Sequence, residues 1–409
     1  MHCVKQVDQD LYWVGGNDRR LTLFENIHPI PKGISYNSFL LMDEKTVLLD
    51  TVDRAITDLF MENVLHVLDQ RPLDYIVMNH MEPDHCGTLI DLLRLYPKAI
   101  VVGNPKTFQI IRQLYNLTLE DRSLVVGNGD TLVTGKHTLR FITMPMVHWP
   151  EVMATFDETN GALFSADAFG TFGALSGHLF ADELEFEKDW LDETRRYYSN
   201  IVGKYGSQVQ DAFKKLLPLN PRMICPLHGP VWRKNLDYIL EKYQKWSLYQ
   251  PEEPGVVIAC GSIYGNTENA ANILAYRLGD LGVRRVVLYD VSATDPSYIL
   301  SDVFRFSHLV IASSTYNNGI FTRMENLLED LAAHRVQNRR VAIIENGSWH
   351  PNSGKLISTT LSGMKDIHIL NDPLTIRSAL APGQDKHLED LARLIAQDLL
   401  DTGSAMSEA

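Results

Sequence analysis

The chain has 409 residues, 45% of them hydrophobic and 22% charged, more than one core ordinarily organises, so two globular domains are expected. Its formal charge of -13 offers no basic footprint for a nucleic-acid backbone or an anionic lipid surface. Four cysteines without a CxxC pair exclude a disulfide framework or thiolate metal site, no apolar run suits a signal peptide or membrane span, and a soluble cytoplasmic protein is expected.

Residues 1–50 hold short β-rich runs, LYWVG, SYNSFLLM and KTVLLDTV, separated by the turn formers GGND and HPIPKG, as antiparallel strands are. From about residue 55 the pattern alternates: helix ITDLFMENVLHVLD, strand DYIVMNH, helix TLIDLLRLY, strand AIVVGN, helix PKTFQIIRQLY, then strands LRFITMPMV and ALFSAD. That mixture predicts helices packed around mixed sheet. LYQPEEPG, after the helix DYILEKYQKW, breaks the pattern with two prolines and a glycine, and places a boundary between domains at 1–250 and 251–400. The second domain runs strand GVVIACG, helix NTENAANILAYRLGDLG, strands RRVVLYD and SHLVIASS, helix FTRMENLLEDLAAH, strand RVAIIEN and helix LEDLARLIAQDLL. Such alternation predicts a doubly wound parallel sheet. Residues 401–409 are expected to be a disordered tail.

The stretch MNHMEPDHCG places His80, Glu82, Asp84 and His85 just past a buried strand, where sites of α/β type are built. Taken alone, Asp84 has a helix cap as its competing reading. Three more strand ends settle the choice: His148 follows LRFITMPMV, Asp167 lies in GALFSADAFG and His228 in PRMICPLHGP. Four strand ends that deliver only imidazole or carboxylate predict a metal site. His2, His28, His66, His137, His308, His334, His368 and His387 lie without other ligand types nearby and read as structural or solvated. His178 reads as a satisfied polar residue, with a place behind the ligands as the alternative.

In the second domain, GVVIACGSIYGNTENAANILA passes from strand to helix through Ser262, Tyr264, Gly265, Asn266 and Thr267, whose hydroxyls and backbone N–H groups suit an anion at a helix N-terminus. There is neither a GxGxxG turn nor a P-loop lysine, which points to a single phosphate such as that of FMN. Two further loops follow strand ends: Ser314, Thr315, Tyr316, Asn317, Asn318 and Gly319, then Gly347, Ser348 and Trp349. Tyr316 and Trp349 offer flat faces for an isoalloxazine ring, and the asparagines and Gly319 offer hydrogen bonds to its polar edge.

The spacing HxExDH, followed by His148, Asp167 and His228, closely resembles the metallo-β-lactamase superfamily and specifically the class A flavodiiron proteins; the loop STYNNG resembles their FMN loop. The resemblance covers residues 1 to about 400. It implies an αββα sandwich of metallo-β-lactamase type, followed by a flavodoxin-like five-stranded parallel sheet. Hydrolases of that superfamily carry His where this sequence has Glu82, and oxygen donors beside imidazole suit non-haem iron. It further implies His80, Glu82 and His148 on one iron, Asp84, His85 and His228 on the other, and Asp167 bridging, with His85 the ligand that some members do not use. His350 departs from the glycine-rich form of the third loop.

The implied activity is reduction of dioxygen to water or of nitric oxide to nitrous oxide, with electrons passing from FMN to the irons. No rubredoxin-like CxxC pairs follow the second domain, so an external donor, a rubredoxin or a flavin reductase, is expected. The resemblance also implies a head-to-tail homodimer, which forms a tetramer in some relatives. Two other readings are a dizinc hydrolase fused to a flavodoxin domain and a non-catalytic flavin electron carrier.

Overall fold

The structure is a computed structural model that describes residues 2–408, with side chains described through residue 403. The chain divides into two compact units, Met1–Tyr198 with Tyr205–Gln244, and Ser199–Lys204 with Lys245–Ala409. The division falls inside the helix Leu236–Ser247 rather than in the proline-containing turn after it. That helix is continuous because DYILEKYQKW carries no breaker, whereas LYQPEEPG already feeds the strand Glu253–Gly261.

The first unit holds two sheets. The larger runs Lys5–Asp8, Leu11–Trp13, Phe39–Met42, Thr46–Leu49, Tyr75–Val77, Ile100–Gly103 and Ser123–Val125. It is antiparallel at its first edge and parallel from Thr46–Leu49 onward. The smaller runs Thr131–Val133, Thr138–Thr143, Met153–Asp157, Ala162–Phe164 and Met223–Cys225. Phe39, Leu41, Val47, Leu49 and Val77 of the first sheet share one core with Phe141, Met153, Phe164 and Cys225 of the second. Phe39 meets Phe164 edge-on, ring centroids 5.4 Å apart. Helices Thr57–Leu68 and Pro105–Tyr115 cover the outer face of the larger sheet, and Gly206–Leu216 that of the smaller. With both faces covered, strands such as FLLM and TVLL are apolar throughout. The result is the αββα sandwich.

Local chemistry fixes these elements. Asn104 caps Pro105–Tyr115, its side chain accepting from Lys106 N and Thr107 N, with Pro105 at the first turn and left-handed Asn116 at the end, a start and stop that match intrinsic preferences. Asn37 is fully buried and acts as a strap: Oδ1 accepts from Trp13 Nε1 (2.9 Å), and Nδ2 donates to Pro226 O and Gly229 O (2.8 Å each). Both carbonyls flank His228. Asn37→Ala is expected to lose about 2–4 kcal/mol of stability, because three buried polar groups lose partners at once. An unchanged urea midpoint would contradict this.

The second unit is a parallel sheet in the order Val286–Asp290, Glu253–Gly261, Phe306–Tyr316, Arg339–Asn346, with Ile367–Ile369 and Leu374–Ile376 both pairing with Arg339–Asn346. The fifth strand position is thus split in two. Its half-exposed three-residue pieces, separated by a turn, are too short for a legible apolar pattern. Helices Asn266–Asp280 and Gln384–Glu408 pack on one face, burying Ala270, Leu274, Leu388 and Ile395 against Val256, Ile258 and Val310. Two helices that the sequence pattern did not separate from their surroundings also form, Pro296–Arg305 and Ser353–Ser362. The first is announced by Asp295, whose carboxylate accepts from Ser297 N.

The tail differs from expectation: residues 401–408 continue the last helix, and residue 409 lies outside the described residues. Turns anchored by Leu388, Leu391, Ala392 and Ile395 propagate the helix at one hydrogen bond per residue added, which outweighs the weak preference of DTGS. No helix among the described residues is long and apolar enough to cross a membrane.

Candidate metal centre and cofactor pocket

All seven expected ligands converge. The strand Tyr75–Val77 ends at Asn79 and His80, and Glu82 opens a one-turn helix, Pro83–Cys86, that carries Asp84 and His85. Asp84 therefore caps nothing; the following helix, Leu89–Leu95, starts at Thr88 without a side-chain cap. His148, Asp167 and His228 sit in turns beyond Thr138–Thr143, Ala162–Phe164 and Met223–Cys225. Two of these turns hold non-glycine residues in the left-handed region, Met146 (φ 66°) and Ala166 (φ 53°), strain of the kind that collects at functional sites.

The ligand atoms form two groups that share Asp167. Around its Oδ2 stand His80 Nε2 (3.1 Å) and His148 Nε2 (3.2 Å), and Glu82 Oε2 lies 3.2 and 3.0 Å from the same two nitrogens. Around its Oδ1 stand His85 Nε2 (3.3 Å) and His228 Nε2 (3.6 Å), each 3.3 Å from Asp84 Oδ2. His85 Nε2 and His228 Nε2 are 3.1 Å apart. Both oxygens of Asp84 and both of Asp167 are buried without a hydrogen-bond donor. Buried carboxylates facing imidazole nitrogens, with no donor between, fit a pair of cations.

The electrostatics agree. Burial disfavours a charged His80, yet Asp167 outweighs it and holds the imidazole well above its ordinary value. Burial likewise opposes charge on His148, but its pairing with the carboxylates of Asp167 and Glu82 pushes it up to about 9. Burial raises Asp84 to about 7, with the charges of Glu82 and Asp167 acting in the same direction. The carboxylates demand positive charge at their centre, which divalent cations supply.

Several residues behind the ligands escaped the sequence reading. Glu151 Oε1 accepts from His80 Nδ1 (2.8 Å) and from Met81 N (2.9 Å), which turns His80 Nε2 toward the cluster. Asp50 accepts from Asn79 N (2.7 Å), Asn79 Nδ2 (2.7 Å) and His80 N (3.1 Å). His228 Nδ1 donates to Ser35 O (2.7 Å). Such partners fix tautomer and ring orientation. Glu25, on the hairpin of Leu23–Phe24 and His28–Pro29, is pushed up to about 8 by burial and by the charge of Glu82. Phe24, Tyr36 and Tyr197 wall the His228 side, with ring centroids 5.5, 5.7 and 5.5 Å from its imidazole. His178, by contrast, is more than half exposed and pairs with Glu183 at 3.4 Å.

Glu151→Gln keeps the shape of the side chain and removes the charge that His80 donates to. Metal affinity in a chelator competition is expected to fall about 10–100-fold; equal affinity would show that Glu151 only packs.

In the second unit, a cavity of about 410 Å³ opens between the three expected loops, within the range of small-molecule sites. Ser262, Tyr264, Asn266, Thr267, Ser314, Thr315, Tyr316, Asn317, Asn318, Gly347, Ser348 and Trp349 line it, together with Ile263, Asn346, His350 and Ser378, which the sequence reading had not placed. Gly265 and Gly319 do not line it. Gly265 instead turns the chain into the helix Asn266–Asp280 at φ 88°, and Gly319 pairs with Tyr316 in a short antiparallel bridge. Thr315 Oγ1 accepts from Asn352 N (3.0 Å) and Ser353 N (3.2 Å), which ties the second loop to the third. Tyr264 and Trp349 are 94% and 89% exposed, so their apolar faces are available to a planar ligand. A polar turn at a helix N-terminus beside exposed aromatic faces fits a phosphorylated flavin.

A family model described as "ODP family beta lactamase" matches residues 34–229. The anaerobic nitric oxide reductase flavorubredoxin of Escherichia coli O6:K15:H31 (strain 536 / UPEC) is 31% identical over 399 residues, 95% of this chain and 81% of that protein. Rubredoxin oxygen:oxidoreductase from Desulfovibrio gigas is 27% identical with a TM-score of 0.91, covering 98% of this chain and 99% of that one. The flavodiiron protein of Giardia intestinalis, 24% identical, has the same fold, with a TM-score of 0.91 over 100% of this chain and 98% of its own. A chain related over nearly its whole length to proteins of this kind, with the metal-type cluster in one unit and the cofactor-type pocket in the other, belongs to the flavodiiron protein family.

Proposed function

We propose that the protein is an oxidoreductase that reduces dioxygen to water, nitric oxide to nitrous oxide, or both, at two non-haem irons fed by FMN. The observation that carries this reading is the sharing of Asp167, with one oxygen facing His80 and His148 and the other facing His85 and His228. In this reading His80, Glu82 and His148 hold one iron, and Asp84, His85 and His228 the other. The bound irons supply Lewis acidity and electrons to the diatomic. The chain's own residues position and shield. Glu151 and Ser35 orient two imidazoles, and Phe24, Tyr36 and Tyr197 keep water from the His228 side.

In the second unit, Ser262 to Thr267 receive the FMN phosphate at the N-terminus of Asn266–Asp280, while Tyr316 and Trp349 take the ring faces. Electrons arrive from an external donor, a rubredoxin or a flavin reductase, in the cytoplasm. A head-to-tail homodimer brings the flavin of one subunit to the metal site of the other. Sedimentation at falling concentration should show activity disappearing together with the dimer.

The direct test is anaerobic quantitation of metal and flavin, then oxidation of the reduced protein by O2 and separately by NO. Two irons and one FMN per chain, with rapid oxidation by either gas, are expected. Zinc in place of iron, with every ligand intact, would overturn the reading in favour of a hydrolase.

A further inference from the structure

The residues that line the 410 Å³ cavity include no lysine, arginine, aspartate or glutamate. Their titratable members are Tyr264 from the first loop, Tyr316 from the second and His350 from the third. His350 is therefore the one lining side chain of a type that can carry positive charge. Glu345 lies behind the cavity, 8% exposed, its carboxylate accepting from Gly354 N (2.9 Å) and Thr375 Oγ1 (2.7 Å). Lys355 and Arg377 are near in sequence, yet neither lines the cavity.

The loop that carries His350 is fixed. Asn352 N and Ser353 N donate to Thr315 Oγ1, and Asn352 Nδ2 donates to Asn318 O (3.0 Å). On the other side Ser378 Oγ bonds Ser348 Oγ at 2.8 Å. These ties hold His350 beside Trp349 in the third of the three loops that line the cavity. Among the described residues, no hydrogen bond or ion pair engages the His350 ring. The ring is thus uncommitted among the described residues.

Resting on the flavin reading above, we propose that His350 tunes the reduction potential of the flavin, its imidazolium stabilising the negative charge that reduction creates. Uptake of two electrons and one proton converts the neutral oxidised ring system into an anion, with the electrons drawn from the external donor. A cation facing that ring favours the reduced state and raises the potential. In a cavity without another cationic group, loss of this one is not compensated. His350 is a positioning charge rather than a ligand of the phosphate, so affinity for oxidised FMN should not depend on it.

The test compares the wild type with His350→Gln and His350→Arg, each loaded with FMN, by anaerobic dithionite titration against an indicator dye at pH 6 and pH 8. At pH 6, His350→Gln is expected to lose about tenfold in preference for reduced over oxidised FMN, a fall of about 30 mV for a two-electron couple. At pH 8, where histidine side chains in general are neutral, wild type and His350→Gln should coincide. His350→Arg should keep the higher potential at both. Equal potentials for wild type and His350→Gln at pH 6, or an equal fall at both pH values, would overturn the proposal. A wild-type chain that takes up no FMN in equilibrium dialysis would overturn the flavin reading itself, and this inference with it.

Discussion

Asp167→Asn is expected to abolish stable occupancy of both metal positions while leaving the fold and the second unit intact. Asp167 is fully buried, and its two oxygens divide their contacts evenly, Oδ2 toward His80 and His148 and Oδ1 toward His85 and His228. Among the described residues no other carboxylate reaches both groups: Glu82 approaches only the first pair of imidazoles and Asp84 only the second. Asparagine keeps the volume and one carbonyl oxygen but removes the negative charge, and its NH2 group, turned toward either pair, opposes a cation there. Removing one charge from a buried, mutually compensated set costs about 3–5 kcal/mol, which is at least two decades of metal affinity. Iron content after dialysis against a mild chelator should fall from two per chain toward zero, with FMN content unchanged. A variant that retained both irons would show that Asp167 does not bridge.

The contrast between the two singly facing carboxylates and the shared one was only partly legible in the sequence. Residue types and strand ends sufficed to name all seven residues that the fold gathers, because a polar imidazole or carboxylate at the end of an apolar strand has few structural reasons to be there. Which oxygen faces which imidazole is a property of three dimensions. Glu151 shows where pattern reading ends: it lies 71 residues from His80, and although His148 is close by in HWPE, nothing in that spacing pairs Glu151 with His80. Asp50, Glu25 and Tyr197 were hidden for the same reason, since each meets the site through the packing of distant turns. Tyr197 is the extreme case, a fully buried hydroxyl without a hydrogen-bond partner at the wall of the site, in a sequence that reads as an ordinary helix, LDETRRY.

The flavin-type pocket was more nearly readable, because a doubly wound sheet dictates where its loops gather. The first three strand-end loops were identified from alternation alone. Ser378 and Asn346 were not, because Ser378 follows a strand, Leu374–Ile376, that is too short to announce itself. Asn346 holds it there, with Nδ2 donating to Ser378 O (3.0 Å) and Oδ1 accepting from Ser378 N (3.1 Å). The two glycines assigned to the pocket do not line the cavity. A glycine in a loop signals backbone freedom, and at Gly265 that freedom serves the turn into the helix.

Glu82→His should convert the preference of the site from iron toward zinc and stop redox turnover. By the resemblance drawn from the sequence, Glu82 stands where metallo-β-lactamase-type hydrolases carry histidine, and its Oε2 lies 3.0 Å from His148 Nε2 and 3.2 Å from His80 Nε2. Burial works against its charge, but hydrogen bonds from His148 and His80 outweigh burial and keep it ionised. The first candidate metal group is thereby built from two imidazoles and two carboxylates. Replacing one hard oxygen donor by a third imidazole lowers the negative charge and favours the borderline-soft ion. The neighbouring Glu25, already pushed up to about 8 by burial and the charge of Glu82, loses that repulsion and gains a donor in the new imidazole, which helps to seat the ring. In medium that contains both metals, the zinc-to-iron ratio of the purified variant should rise roughly tenfold or more, following the ligand preferences of the two ions. Oxidation of the reduced protein by O2 should slow by about two orders of magnitude, since zinc offers no redox change, while bound FMN is still reduced by dithionite. If the variant keeps wild-type iron and wild-type oxidation rates, residue 82 does not select the metal, and the distinction between hydrolytic and redox members must lie in the turns that carry His148 and His228.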